Sequence, residues 1–244
     1  MKAETSLAVD LGNTFAKTGL FDADGQLAEV RRKLTPDDLA AYLAETRPGR
    51  TIISSTALSG EELTARFGHL TGFLLVLSPS TPVPVEKLYD TPQTLGADRV
   101  AAAVGARSLF PERNCLVIDM GTCITYDYVD NRDRFHGGLI SPGLRMRFRA
   151  MHSFTQRLPL VEPPEVLPAL VGKSTVHAMQ SGVLYGLIAE VGGIIDQYRS
   201  IYPDFQVVLC GGDAPFFESR LKEPIFAAPE LVLLGLHRIL NHNV

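Results

Sequence analysis

With 244 residues, 45% hydrophobic and 20% charged, the chain is long enough to bury one large core or two modest ones. A formal net charge of -4 and a pI near 5.9 argue against a general nucleic-acid binder. No apolar run reaches the roughly 18 residues of a membrane span, and no apolar leader follows Met1, so a cytoplasmic protein off the membrane is expected.

Leu7 to Asp10 reads as a short apolar strand ending in a carboxylate and a glycine turn, Asp10-Leu11-Gly12-Asn13-Thr14. Phe15 to Phe21 and Gln26 to Lys33 complete a meander around Asp22-Ala23-Asp24-Gly25. Thr35 as N-cap with Pro36 at the first helical position starts a helix. A strand at Ile52 to Ser54, a helix at Gly60 to Phe67 and a strand at Phe73 to Leu77 follow. Ser78 to Gln93 reads as loop, and Leu95 to Leu109 as an alanine-rich helix.

After the break Pro111-Glu112-Arg113-Asn114 the opening pattern returns. Leu116 to Thr122 is a strand running into Asp119-Met120-Gly121-Thr122, then Ile124 to Val129 and Arg134 to Ile140 form a second meander. The two aspartates lie 109 positions apart (119 minus 10), about half the chain. This internal duplication predicts two domains, 1–113 and 114–244. Helices are expected at Leu144 to Phe154, Thr175 to Arg199 and Pro229 to Asn241, with a strand at Gln206 to Cys210.

An Asp-x-Gly-Thr turn between strands suits phosphate chemistry. Glycine admits the phosphate and offers its N–H at close range, threonine adds a donor, and the strand-end aspartate can hold Mg²⁺. One such turn is also an ordinary hairpin feature; two related copies are not a coincidence of turn chemistry. Lys17 reads equally as a phosphate-directed lysine or a solvated strand lysine. Leu209 to Ala214 runs a strand into Gly211-Gly212, bare backbone on which an adenine and ribose can lie. Gly172-Lys173-Ser174-Thr175 lacks the P-loop's first glycine, which falls on Leu167, and any preceding strand.

Gly96-Ala97-Asp98-Arg99 opens the alanine-rich helix. Asp98 there fits a dipole or capping role, and also the proton acceptor that a hydroxyl-phosphorylating kinase needs; Arg99 can bind an acidic group. Cys115, Cys123 and Cys210 sit in apolar, strand-like settings without metal spacing and read as buried small hydrophobes. The six histidines form no ligand pattern.

The two loops and the Gly-Gly turn have the layout of the acetate kinase, sugar kinase, Hsp70 and actin superfamily. The expected fold is therefore α/β, two tandem ribonuclease-H-like (actin-like ATPase) domains with ATP in a central cleft. More narrowly, the chain resembles the type III pantothenate kinases. The resemblance rests on Asp10 to Lys17, Tyr89 seven residues before Gly96-Ala97-Asp98-Arg99, and Asp119 to Thr122. His136 to Gly143 with Leu158-Pro159, Thr175 ahead of Ser181-Gly182, and Gly211 to Ala214 extend it.

That resemblance implies ATP-dependent phosphorylation of pantothenate, the first step toward coenzyme A. It implies Asp98 as proton acceptor and pantothenate contacts from Tyr89, Gly96, Ala97, Asp98, Arg99 and Thr175. ATP would be held by Asp10, Leu11, Gly12, Asn13, Thr14, Phe15, Ala16, Lys17 and Thr122. Mg²⁺ would lie near Asp10 and a monovalent cation, K⁺ or NH₄⁺, at Asp119. It also implies a homodimer. Gly182 and Gly186 at helical spacing permit a helix–helix interface, and read equally as part of an internal core helix. Cys210, where threonine is common in the family, and Cys123 depart from its pattern.

Overall fold

The computed structural model describes residues 5–12, 15–202, 204–222 and 224–244. Its elements are β1 (Ser6–Leu11), β2 (Ala16–Phe21), β3 (Leu27–Leu34), α1 (Pro36–Thr46), β4 (Arg50–Ser55), α2 (Gly60–Phe67), β5 (Phe73–Val76), β6 (Glu86–Lys87) and α3 (Ala97–Leu109). Then come β7 (Cys115–Met120), β8 (Cys123–Val129), β9 (Arg134–Pro142), α4 (Leu144–Ser153), α5 (Thr175–Ile201), β10 (Gln206–Cys210), α6 (Ala214–Glu218), β11 (Ile225–Ala227) and α7 (Leu231–His242).

The first sheet runs β3-β2-β1-β4-β5, antiparallel through the meander and parallel from β1 outward. Strand periodicity sorts β1: Leu7, Val9 and Leu11 pack with Leu39 and Leu43 of α1 and Leu63 and Phe67 of α2. Ala8 and Asp10 take the opposite face, where Gly19, the register partner of Ala8, lies close to Leu233 of α7. Local signals set the helix starts. Thr35 Oγ1 accepts the Asp38 N–H while the Asp38 carboxylate accepts the Thr35 N–H, and Ser59 and Glu62 repeat this box at α2.

The second sheet runs β11-β10-β7-β8-β9-β6. Read from β9, the order β9-β8-β7-β10-β11 repeats β3-β2-β1-β4-β5, and β10 and β11 add in parallel as β4 and β5 do. The sequence duplication is thus a duplication of topology, with Asp10 and Asp119 near the ends of the two central strands. α5 covers this sheet with Leu184, Leu187, Val191 and Ile195. Among the described residues it is also the one helix long and apolar enough to cross a membrane by length and composition.

By contacts the chain divides into two compact units. Unit 1 holds residues through Glu112 with Val129–Gly137 and Glu230–Val244; unit 2 holds Arg113–Tyr128 and Gly138–Pro229. This differs from a single division after residue 113 in two places, the β8–β9 tip and the last helix. α7 packs along α3 inside unit 1, where Gly105 meets Leu231 and Gly235 meets the Ala101 carbonyl so closely that no Cβ fits. Two short elements also lie outside the sequence reading: β6, within the expected loop, and β11.

His237 of α7 stacks on Phe21 at 3.8 Å between ring centroids. Burial, aided by the charge of Arg50, pushes its pKa down to about 4. Between pH 6.5 and 4 the unfolded chain therefore binds a proton that the folded one refuses. Stability from this site is intact above the ordinary histidine value and falls as the pH drops toward 4. Urea midpoints of wild type should fall more steeply across that window than those of His237→Phe. Equal slopes for the two proteins would count against a buried neutral imidazole.

Candidate active site

Asp10 stands opposite Lys17 in the β1–β2 register, so both side chains leave the same face of the sheet. The turn between them is closed by the Gly12 N–H donating to the Phe15 carbonyl at 3.2 Å. Asn13 and Thr14, expected at this turn, lie outside the described residues. Leu11 and Ala16 point into the core, leaving only their backbone for a ligand, whereas Phe15 is exposed. Lys17 is not a solvated strand lysine: its Nζ lies 2.6 Å from Glu230, at the start of α7, and Arg32 donates to the other oxygen of the same carboxylate. Nothing near Lys17 in the sequence announces Glu230.

In unit 2, Asp119 ends its strand beside the Gly211-Gly212 turn, in register with Cys210 of β10. Gly211 has φ +92°, and a Cβ there would lie 2.5 Å from Asp119 Oδ1; one on Gly121 would lie 3.2 Å from it. The carboxylate thus sits in a cradle that two glycines keep open. The Asp213 N–H donates to the Met120 carbonyl at 3.0 Å and the Gly143 N–H to the Thr122 carbonyl at 3.1 Å. Thr122, Gly143 and the Gly211-Gly212-Asp213 turn are thereby tied to the end of β7. Burial raises the Asp213 carboxyl above its ordinary pKa, with the charge of Arg145 opposing.

The Gly96 to Arg99 box forms the start of α3. No side chain caps this helix, and Asp98 Oδ1 lies over its own turn, accepting the Arg99 N–H at 2.9 Å. A Cβ on Gly96 would come within 2.5 Å of that oxygen, so glycine here makes room for the carboxylate. Ala97 is the first helical residue. Arg99 is only 6% exposed; its guanidinium lies 5.7 Å from the Tyr89 ring and 5.9 Å from the Phe135 ring. Tyr89 in turn packs against Gly137, whose φ of +84° and missing side chain accommodate the ring. Tyr89, Gly96, Asp98 and Arg99 thus converge in unit 1, together with Phe135, which the sequence reading omitted. Thr175 belongs to unit 2, exposed as the first residue of α5 after its N-cap Ser174.

Among the described residues no three His, Cys, Asp or Glu side chains gather as a metal site. Single carboxylates at the two turns still fit ions completed by phosphate oxygens and water, the usual manner for Mg²⁺. A concavity of about 610 Å³ in unit 1, lined by Arg107, Asp133, Asn131 and Arg238 among others, contains none of the predicted site residues.

Two sheets of one strand order, each with an Asp-x-Gly turn after its central strand, define the two-domain ribonuclease-H-like, actin-like ATPase fold. Solved structures share this fold. A protein from Campylobacter jejuni with a provisional Baf-family transcriptional-activator assignment matches at TM-score 0.64 and 20% identity, covering 97% of this chain and 98% of its own. A provisionally assigned 2-dehydro-3-deoxygalactonokinase from Sinorhizobium meliloti matches at TM-score 0.60 and 17% identity, covering 98% and 99%. Sequence is more specific. The model of the type III pantothenate kinase family matches residues 6–197, and the type III pantothenate kinase of Cytophaga hutchinsonii is 42% identical over 243 residues, 98% of this chain and 100% of its own. The chain belongs to the type III pantothenate kinase family.

Proposed function

We propose that this enzyme transfers the γ-phosphoryl group of ATP to the primary hydroxyl of pantothenate, giving 4'-phosphopantothenate, the first step of coenzyme A biosynthesis. The observation that carries the reading is the corner in which an aspartate and a buried arginine share one helix start beside an aromatic wall. Arg99 binds the pantothenate carboxylate, a charge-assisted contact strengthened by burial. Tyr89, Gly96, Ala97 and Thr175 are the further substrate contacts that membership of the family implies. Asp98 takes the hydroxyl proton as the oxygen attacks the γ-phosphorus; the new O–P bond forms while the bond to the β,γ-bridging oxygen breaks and ADP leaves.

Residues Asp10 to Lys17 and Thr122 hold the phosphates of ATP. Mg²⁺ at Asp10 and K⁺ or NH₄⁺ at Asp119 supply charge neutralisation when bound. Lys17 sits between Glu230 and this turn, and Glu230 orients it. The working unit is a cytoplasmic homodimer. Positions 182, 186 and 193 of α5 are glycines with nothing within 4 Å of where a Cβ would stand, which leaves a bare helix face for close approach of a second helix. The two duplicated halves, 1–113 and 114–244, are the two ribonuclease-H-like domains, with α7 returned to the first.

A coupled assay of ADP release tests the reading. Turnover should require pantothenate and rise on adding K⁺ or NH₄⁺ in place of a large organic cation. ATP turnover indifferent to pantothenate would overturn it.

A further inference from the structure

We infer that Asp130, at the tip of the β8–β9 hairpin, is a positioning residue for the Arg99 corner; the inference rests on the pantothenate reading of that corner. Asp130 is 6% exposed, yet two backbone amides, the Arg134 guanidinium and His136 all bind its carboxylate. Oδ1 accepts the backbone N–H groups of Arg132 at 2.9 Å and Arg134 at 3.0 Å; Oδ2 accepts Arg134 Nε at 2.8 Å and His136 Nε2 at 2.8 Å. Burial alone would raise its pKa, but the bonds from His136, Arg134 and the two amides outweigh burial and hold the group well below the ordinary carboxylate range. An ionised carboxylate only accepts, so His136 donates through Nε2–H.

Strand alternation converts this clamp into a wall. With Arg134 and His136 pinned toward Asp130, Phe135 and Gly137 turn to the other face. Phe135 there flanks the Arg99 guanidinium, and Gly137 backs the Tyr89 ring. The tip also carries β6, through Glu86 N–H to the Asp133 carbonyl at 2.8 Å and Leu88 N–H to the Phe135 carbonyl at 2.9 Å. Tyr89 lies two residues past the end of that strand. A third tie runs to the far end of α3, where Arg107 Nε donates to Asp133 at 2.6 Å. One buried carboxylate therefore sets the tip that holds both rings around Arg99 and anchors the helix bearing Asp98.

The test is a steady-state comparison of wild type with Asp130→Asn, whose amide nitrogen cannot accept from Arg134 or His136. Pantothenate KM should rise tenfold or more, while kcat and ATP KM stay within about threefold and the thermal midpoint shows a folded protein. His136→Ala, which removes one donor, should raise pantothenate KM by a smaller factor and His136→Gln restore it; this pair decides the matter if Asp130→Asn does not fold. Unchanged pantothenate KM in the folded variants overturns the inference alone, as does a parallel fall of every parameter with the thermal midpoint. Absence of pantothenate-dependent turnover in wild type overturns the proposed function and this inference with it.

Discussion

Asp98→Asn should lower kcat by about 10²- to 10⁴-fold, the usual contribution of a positioned general base, with pantothenate and ATP KM within a few-fold of wild type. The substitution separates the two roles open to a carboxylate at a helix start. Asparagine gives up only the charge that aspartate sets against the helix dipole, about 0.3–1 kcal/mol, so a residue with a purely local role would tolerate the change in rate and lose little stability. The bond from the Arg99 N–H to Asp98 Oδ1 at 2.9 Å can be kept by an amide oxygen. What asparagine cannot do is take a proton at neutral pH. A nearly unchanged thermal midpoint with collapsed kcat identifies proton acceptance; unchanged kcat would reduce Asp98 to a local helix-start residue. Single-turnover measurements of the chemical step would keep slow product release from masking the loss.

Local rules were well expressed in this sequence. Thr35, Pro36 and Asp38 lie within four residues, so the start of α1 could be read directly, and the alternation of Leu7, Val9 and Leu11 gave β1 its buried face. The repeat of an apolar strand and Asp-x-Gly foretold the matching strand orders because topology follows from the repeated unit. Features made by distant pairing were not legible. β6 is two residues long, and its pairing with Arg134 and Phe135 leaves no periodicity to detect. α7 is apolar on the pattern of any core helix; only its glycine contacts with α3 say which unit it joins.

The same limit applied to the site. Gly96, Asp98 and Arg99 are neighbours in the chain and were found together. Phe135 reaches Arg99 only through the hairpin, and Glu230 reaches Lys17 only through the packing of the last helix, which it precedes. His136 is one of six histidines that form no ligand pattern in the sequence. It is structural in its bonding, but the carboxylate it serves is the one that fixes the aromatic wall.

Asp119→Ala should abolish activation by K⁺ or NH₄⁺ and lower kcat/KM for ATP by about 10²- to 10³-fold, the scale seen when one preorganised electrostatic partner of a reacting group is lost. The expectation rests on the glycines around it. Gly121 and Gly211 both leave the space beside Oδ1 unfilled, and Gly211 does so at a φ of +92° that side-chain-bearing residues seldom adopt. A merely structural strand-end aspartate has no need of two such neighbours. Filling the cradle from the other side gives an independent reading: Gly211→Ala places a methyl 2.5 Å from Oδ1 and from the Met120 backbone, and should lose cation activation with Asp119 still present. Because that change also strains the backbone, the comparison must be made on protein shown to be folded, at temperatures well below its melting midpoint. Cation titrations at saturating ATP then discriminate. If both variants respond to K⁺ as wild type does, the ion binds elsewhere and the turn at Asp119 serves ATP alone. If Asp119→Ala is silent to the ion but keeps residual, pantothenate-dependent turnover, the two Asp-x-Gly turns have diverged after duplication, with the ion role confined to the second.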